Sequence, residues 1–568
     1  MATPCSFPSD IMLKQLLRVS QQRPFMEVVV HDVMGFEKSY ADLVADVLST
    51  RTAVLQKLPP LALNERGLLH HEAPYMFIVV KSGYEFLVGL FAIRALGGAA
   101  IPLANDILPE QAYFWLKTTR ATCILYGKDC DQEARNICDF ANSNASPISL
   151  AAGPISSDAQ HKDRIDVKID HNLPLDDDSP GLAIFSSGTT GDAKAVCLPR
   201  TALVPLSLAE PDGISLNYRP YHWVGAADSL IEPVLSGKIL YSLDLRAPVP
   251  DVMQAFVDHR VTRATFYPTY LKDMKDLITD PRTGTLSEGA RKKYCTMFRG
   301  LRSIMVGSRQ IEASVRQFWV DLTGKPFECI YAVAETGMIV SSEISGPTGC
   351  IGSPWPGAEM KLVPEGIEGL EDLGEIRVKS KTMMTHYIGR EESTRAAFDE
   401  DGFYKTSDLG KVDENGKFFI FGRKGSDYVQ FKQFYIPTID AEHAVMELPY
   451  VSDACVVGVP NTRVRELCAV VLKPNIANMP NDGIINLAKI RSDLAAANMS
   501  DYMLPLVLRV LKPEEELPRT LSGKLVRKRV FADYFGDAQG KTAVDAPHGI
   551  EIWPEIPFAD DWGVHGRR

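Results

Sequence analysis

The chain has no CxxC pair and no cysteine–histidine cluster at zinc spacing, although ten cysteines are scattered along its 568 residues. A zinc module and a disulfide framework are therefore not signalled, and dispersed thiols in so long a chain fit a reducing compartment. The opening MATPCSFPSDIMLKQLL lacks the basic start and apolar core of a secretory signal. Long apolar runs are missing as well. The stretch from Phe86 to Pro102 is interrupted by Gly89, Arg94 and the Gly97-Gly98 pair, so it does not read as a membrane span. The final HGRR is not the tripeptide that addresses peroxisomes, and the expected compartment is cytoplasmic. An excess of basic charge is also lacking. A formal net charge of −11 argues against binding nucleic acid or an anionic membrane.

What is present is an ordinary globular composition, 45% hydrophobic and 23% charged, in a chain too long for one core. From Met26 to Leu511, short apolar runs alternate with amphipathic stretches and glycine turns, which predicts α/β layers with mainly parallel strands. Met76 to Val80 and Ala99 to Leu103 read as strands flanking a helix over Phe86 to Leu96. Leu182 to Phe185 and Phe327 to Tyr331 read as buried strands ending in polar loops, where an open α/β sheet places its ligand. A hinge is expected at Gly422 to Asp427, giving a large domain over 1–421 and a small lid over 422–536. In the lid, Val451 to Val459, Cys468 to Leu472 and Leu506 to Leu511 read as strands. Leu487, Ile490 and Leu494 form one helical face. The tail, 537–568, is left unassigned.

The densest polar segment is Ser186-Ser187-Gly188-Thr189-Thr190-Gly191-Asp192-Ala193-Lys194. Its glycines allow close backbone approach, and its hydroxyls and lysine offer donors to phosphate oxygens. It is not the Walker pattern, because no lysine–hydroxyl pair follows a glycine at that spacing.

Ser187 to Lys194 resembles the SGTTGxPK signature of the adenylate-forming (AMP-binding) superfamily, and further motifs follow in that family's order. Gly97-Gly98-Ala99 with Pro102-Leu103 resembles LGGAxxPL, and Pro220-Tyr221-His222 with Gly225 resembles PxFH..G. Gly307-Ser308 resembles the loop against adenine, and Tyr331 to Glu335 matches YGxTE at its first and last residues. Gly352 to Gly357 resembles GxPxPG, and Tyr404 to Asp408 resembles YxTGD. Gly422-Arg423 opens the hinge motif, and Leu517 to Lys524 is a full LPxTxxGK. The pattern is closest to acyl-CoA synthetases and covers nearly the whole chain.

The resemblance implies a large multi-layer α/β N-terminal domain with a small mobile α/β lid. It also implies an ATP-dependent acid–thiol ligase that forms an acyl-AMP, releases pyrophosphate and transfers the acyl group to CoA. Negative charge crowds one phosphorus in such a reaction, so cations and a metal must balance it. By resemblance, Ser187, Gly188, Thr189, Thr190, Gly191 and Lys194 cradle phosphate. Glu335 holds Mg²⁺, Gly307 and Ser308 border adenine, and Tyr331 stacks on it. Asp408 accepts the ribose hydroxyls, and Arg423 holds the ribose or phosphate side. Lys524 would stabilise charge that develops only in the transition state, reaching the nucleotide when the lid closes. Lys432 lies in the loop that borders the thiol's path. The acyl pocket would be lined by His222, Trp223, Arg309, Val333 and Met338. Trp223 favours a short or flat acid, and Arg309 could pair with a second carboxylate. An amino acid's ammonium would want an aspartate in Tyr221-His222-Trp223, which has none.

Several family positions differ. Ala193 and Ala195 replace a proline and a glycine, Ala332 and Ala334 replace the glycine and threonine of YGxTE, and Ser407 replaces a glycine. Gln433 follows Lys432 where the family has glycine. These changes keep two alternatives open: a ligase that loads a carrier protein in trans or forms an amide after the same first step, and a non-catalytic nucleotide-binding homologue.

Overall fold

Apolar runs with β-branched and aromatic residues become strands, and the computed structural model shows how they assemble. It describes residues 6–555 apart from 145, 159, 161–164, 187–192, 206–212, 309, 344–348, 366–372, 426, 433, 481–482 and 520–524. The first sheet contains Tyr75–Val79, Ala99–Pro102, Cys123–Tyr126, Ala151–Pro154 and Pro180–Ser186 in parallel. Lys194–Pro199 and His386–Tyr387 extend it antiparallel at one edge. The second sheet is built on parallel strands including Ile214–Asn217, Arg263–Phe266, Ile304–Gly307 and Phe327–Val333. The expected α/β layering is therefore the observed one.

The helix Gly83–Ala95 explains why the layers hold together. Every one of its residues is buried, as a helix apolar all round requires. Its Phe86, Leu87, Leu90 and Phe91 lie in a core shared with Leu230, Ile231 and Val234 of the helix Val224–Ser236. Glu85 and Arg94 are its charged residues, and both are buried. The Arg94 guanidinium donates to both oxygens of Asp10, at 3.1 and 2.8 Å, and Arg200 adds a third contact at 2.8 Å. Burial alone would raise the Asp10 pKa, but the two guanidiniums hold the carboxyl below its usual range.

A third sheet, antiparallel, carries Gly374–Ser380, Tyr404–Val412 and Phe418–Arg423. Phe418–Arg423 still pairs with Tyr404–Val412, so the chain changes sheets between Arg423 and Tyr428. That is slightly later than the expected break after 421. The lid sheet follows, with Val451–Asn461, Arg465–Pro474 and Val507–Val510 around the helix Leu487–Ala496, whose Leu487, Ile490 and Leu494 are buried as expected.

The tail left unassigned from the sequence contributes a strand. Ile550–Ile552 pairs antiparallel with Val507–Val510, Glu551 accepts the Leu487 amide at 2.9 Å, and Arg491 lies over the Trp553 ring at 4.4 Å. The tail thus covers an edge that would otherwise offer unpaired backbone groups. Its short apolar run, Ile550-Glu551-Ile552-Trp553, was hidden among Gly, Pro and acidic residues.

Candidate active site

A cavity of about 1680 Å³ opens where the first two sheets meet the third. Strand ends position its walls. Pro180–Ser186 runs into the cavity, the chain turns back, and Lys194 returns opposite Ser186 in the antiparallel pair. Residues 187–192 between them, with the expected Ser187, Gly188, Thr189, Thr190 and Gly191, lie outside the described residues, as do Arg309, Gln433 and Lys524. Ile304–Gly307 delivers Gly307 and Ser308, the latter at φ 75°. Phe327–Val333 delivers Ile330, Ala332 and Val333, and the turn after it delivers Ala334 and Glu335.

Glu335 is buried at 9% exposure, so its carboxylate needs a donor. Tyr387 supplies one: its hydroxyl donates to Glu335 Oε1 at 3.0 Å and lies 3.4 Å from the Tyr404 hydroxyl. The Tyr387 ring also carries Lys194 Nζ at 4.5 Å from its centroid, a cation–π contact. Burial, and then the neighbouring Glu335 charge, push the Tyr387 phenol above its ordinary pKa, so it stays a donor. All four side chains line the cavity. Tyr387 thus joins the carboxylate of one sheet to the lysine of another.

Two side chains hold Asp408. The Tyr331 hydroxyl donates to its Oδ2 at 2.7 Å, and Arg423 Nε donates to its Oδ1 at 3.1 Å. Tyr331 is buried among Ile339, Val340, Ile376 and Val378, and it is Ile330 and Ala332 beside it that face the cavity. Tyr331 therefore braces the aspartate through its hydroxyl. Burial and the Asp408 charge both push its pKa up. A carboxylate has about four acceptor sites, and these two donors leave others for further hydroxyls. Arg423 lines the cavity, and Asp408 keeps its guanidinium firmly protonated against the cost of burial. Lys432 has left-handed backbone, φ 56°, and its amide bonds the Val464 carbonyl in the lid.

His222, Trp223, Val333 and Met338 line the same cavity. Trp223 meets Tyr267 edge-on at 6.0 Å. Burial, helped by the charge of Arg246, lowers the His222 pKa to about 4, so the imidazole is neutral at pH 7. Three lining residues on and beside the helix Val224–Ser236 escaped the sequence reading: Arg219, Asp228 and Glu232.

The cavity therefore brings cationic and carboxylate groups suited to phosphates, Lys194, Glu335 and Arg423, into one space with His222 and Trp223. Glu335 is a single hard oxygen donor, and among the described residues no group of three acidic, histidine or cysteine side chains could hold a metal alone. Mg²⁺ binds through one or two carboxylates while keeping waters and substrate phosphates, so this donor set fits it. No helix among the described residues is long and apolar enough to cross a membrane.

Comparison with known proteins gives two family-model matches, an AMP-binding enzyme domain over residues 62–388 and an AMP-binding enzyme C-terminal domain over residues 440–524. An acyl-CoA ligase of Aspergillus oryzae, oryP, is 28% identical over 93% of both chains. A malonate–CoA ligase of Arabidopsis thaliana is 25% identical, covering 80% of this chain and 77% of its own. ATP-bound MatB of Rhodopseudomonas palustris shares the fold with a TM-score of 0.71 at 20% identity, covering 92% of this chain and 99% of its own.

Proposed function

Because the chain belongs to the AMP-binding enzyme family, and so is an AMP-forming acid–thiol ligase, we propose that it adenylates a carboxylic acid and transfers the acyl group to CoA. The observation that carries this reading is the single cavity joining Lys194, Glu335 and Arg423 to His222 and Trp223. In the first step a substrate carboxylate oxygen attacks the α-phosphorus of ATP and pyrophosphate leaves. Lys194 and Arg423 balance the charge that accumulates, in a site where they act at low dielectric. Asp408, braced by Tyr331 and Arg423, takes the ribose hydroxyls. Mg²⁺, held through Glu335, would neutralise phosphate charge. Neutral His222 borders the acyl group without adding charge to it.

Lys524 is proposed to complete the site when the lid closes, excluding water from the mixed anhydride. In the second step the CoA sulfur attacks the acyl carbonyl carbon and AMP leaves. The CoA-ligase names of the relatives support CoA over a carrier protein or an amine as acceptor.

The test is pyrophosphate release from Mg-ATP across short-chain, aryl and dicarboxylic acids, malonate among them, with and without CoA, beside Lys524→Ala. Acid-dependent release that the variant loses, with acyl-CoA appearing when CoA is added, is the expected result. Silence across the panel with nucleotide still bound would overturn the proposal.

A further inference from the structure

The acyl end of the cavity is charged, and its charges can be accounted for one at a time. Arg219 donates to the Gly225 carbonyl at 2.9 Å and to the Ser229 hydroxyl, and its guanidinium lies 5.6 Å from the Tyr267 ring centroid. Glu232 takes Lys238 at 2.6 Å, the Ser236 hydroxyl at 3.0 Å and Arg263 at 3.8 Å. Asp228 lies one turn before Glu232 on the same cavity-facing stripe of the helix Val224–Ser236. Among the described residues nothing donates a hydrogen bond to its carboxyl and no cation pairs with it. A half-buried acceptor left open on a pocket wall is a group waiting for a partner.

Resting on the ligase reading above, we propose that Asp228 sets acid specificity by accepting a hydrogen bond from a hydroxyl group on the acyl part of the substrate. Electrostatics separates a hydroxyl from the competing groups. A second carboxylate would enter beside both Asp228 and Glu232, two like charges about a helical turn apart. Arg263 faces Glu232, and Arg219 is held by the Gly225 carbonyl and the Ser229 hydroxyl. An ammonium would add another cation where Arg219, Arg263 and Lys238 already surround the two acids. A plain alkyl or aryl group would leave the Asp228 carboxyl desolvated and unpaired. Only a neutral donor supplies the missing hydrogen bond without adding charge. Burial supports the same conclusion: together with the Glu232 charge it raises the Asp228 pKa to about 6, against the pull of Arg263, Arg219 and Lys238, so the wall already resists further negative charge.

The experiment compares acids matched in size: butyrate, 4-hydroxybutyrate, 4-aminobutyrate and succinate, and benzoate with its 4-hydroxy, 4-amino and 4-carboxy derivatives. Pyrophosphate release is measured for wild type, Asp228→Asn and Asp228→Ala. Wild type should favour the hydroxy acid of at least one set by about ten- to a hundredfold in kcat/KM, the lower range for a site not fully sealed from water. Asp228→Ala should collapse that ratio to near one, and Asp228→Asn, which keeps an acceptor oxygen and the side-chain shape, should retain part of it. Succinate should improve in both variants. Turnover in wild type without a hydroxyl preference, or a preference that Asp228→Ala leaves intact, overturns the assignment alone. Silence with every acid overturns the ligase reading and this assignment with it. The wild-type ratios decide the matter even where a variant does not fold.

Discussion

Replacing Tyr387 with phenylalanine removes one hydroxyl and leaves the ring. The ring still carries Lys194 at 4.5 Å, so the cation–π contact survives, and the strand pairing of Tyr387 with Val196 is untouched. What disappears is the 3.0 Å donor to Glu335 Oε1. A hydrogen bond to a charged group contributes about 1.5–3 kcal/mol. Glu335 borders the cavity, so water can replace part of the lost donor, and the lower value, about 1.5 kcal/mol, is the expected loss. That corresponds to roughly a tenfold fall in kcat/KM for Mg-ATP. The same variant should need more Mg²⁺ for half-maximal binding of Mg-ATP, measured by calorimetry without any acid present. Tyr387→Leu, which removes ring and hydroxyl together, should lose more than Tyr387→Phe in the same assays. A phenylalanine variant within twofold of wild type in both would refute the reasoning, because Glu335 would then be positioned by something else.

Asp10→Asn should cost about 3–5 kcal/mol in urea unfolding, since it leaves Arg94 and Arg200 buried without their counter-charge. The Asp10 pKa is lowered in the folded chain, so its stabilisation is present above the unfolded carboxylate range near pH 4 and lost as pH falls below it. His222, with its folded pKa lowered to about 4 from 6.5, contributes a loss of stability as pH falls from 6.5 toward 4, at most about 3 kcal/mol. In His222→Gln the wild-type decline across that window should flatten. Ser407 sits at φ 62°, a left-handed conformation that favours glycine, and Ser407→Gly should stabilise by about 1 kcal/mol in the same unfolding assay.

Much of the fold and the phosphate end of the site was legible in the sequence because motifs tie residue type to position within a few residues. Lys194, Glu335 and Arg423 were each expected from such a segment, and the structure brings them to one cavity. Tyr387 was not legible, because its role arises only where sheets meet. Its hydroxyl reaches a carboxylate 52 residues away, and its strand joins the first sheet through a two-residue pairing. The motif points to the ring of Tyr331, and the bond of its hydroxyl to Asp408, 77 residues away, was not legible there. Asp228 was not legible for another reason: it lies three residues beyond Gly225, where the motif ends. The following helix held a usable signal. Gly225, Asp228, Ser229 and Glu232 fall at helical spacing and line the cavity, while Ala227, Leu230, Ile231, Val234 and Leu235 are buried away from it. A polar stripe on a helix whose remaining faces are apolar has to meet water or a ligand. In a chain whose parallel strands already imply a buried cleft, that stripe marks the pocket wall.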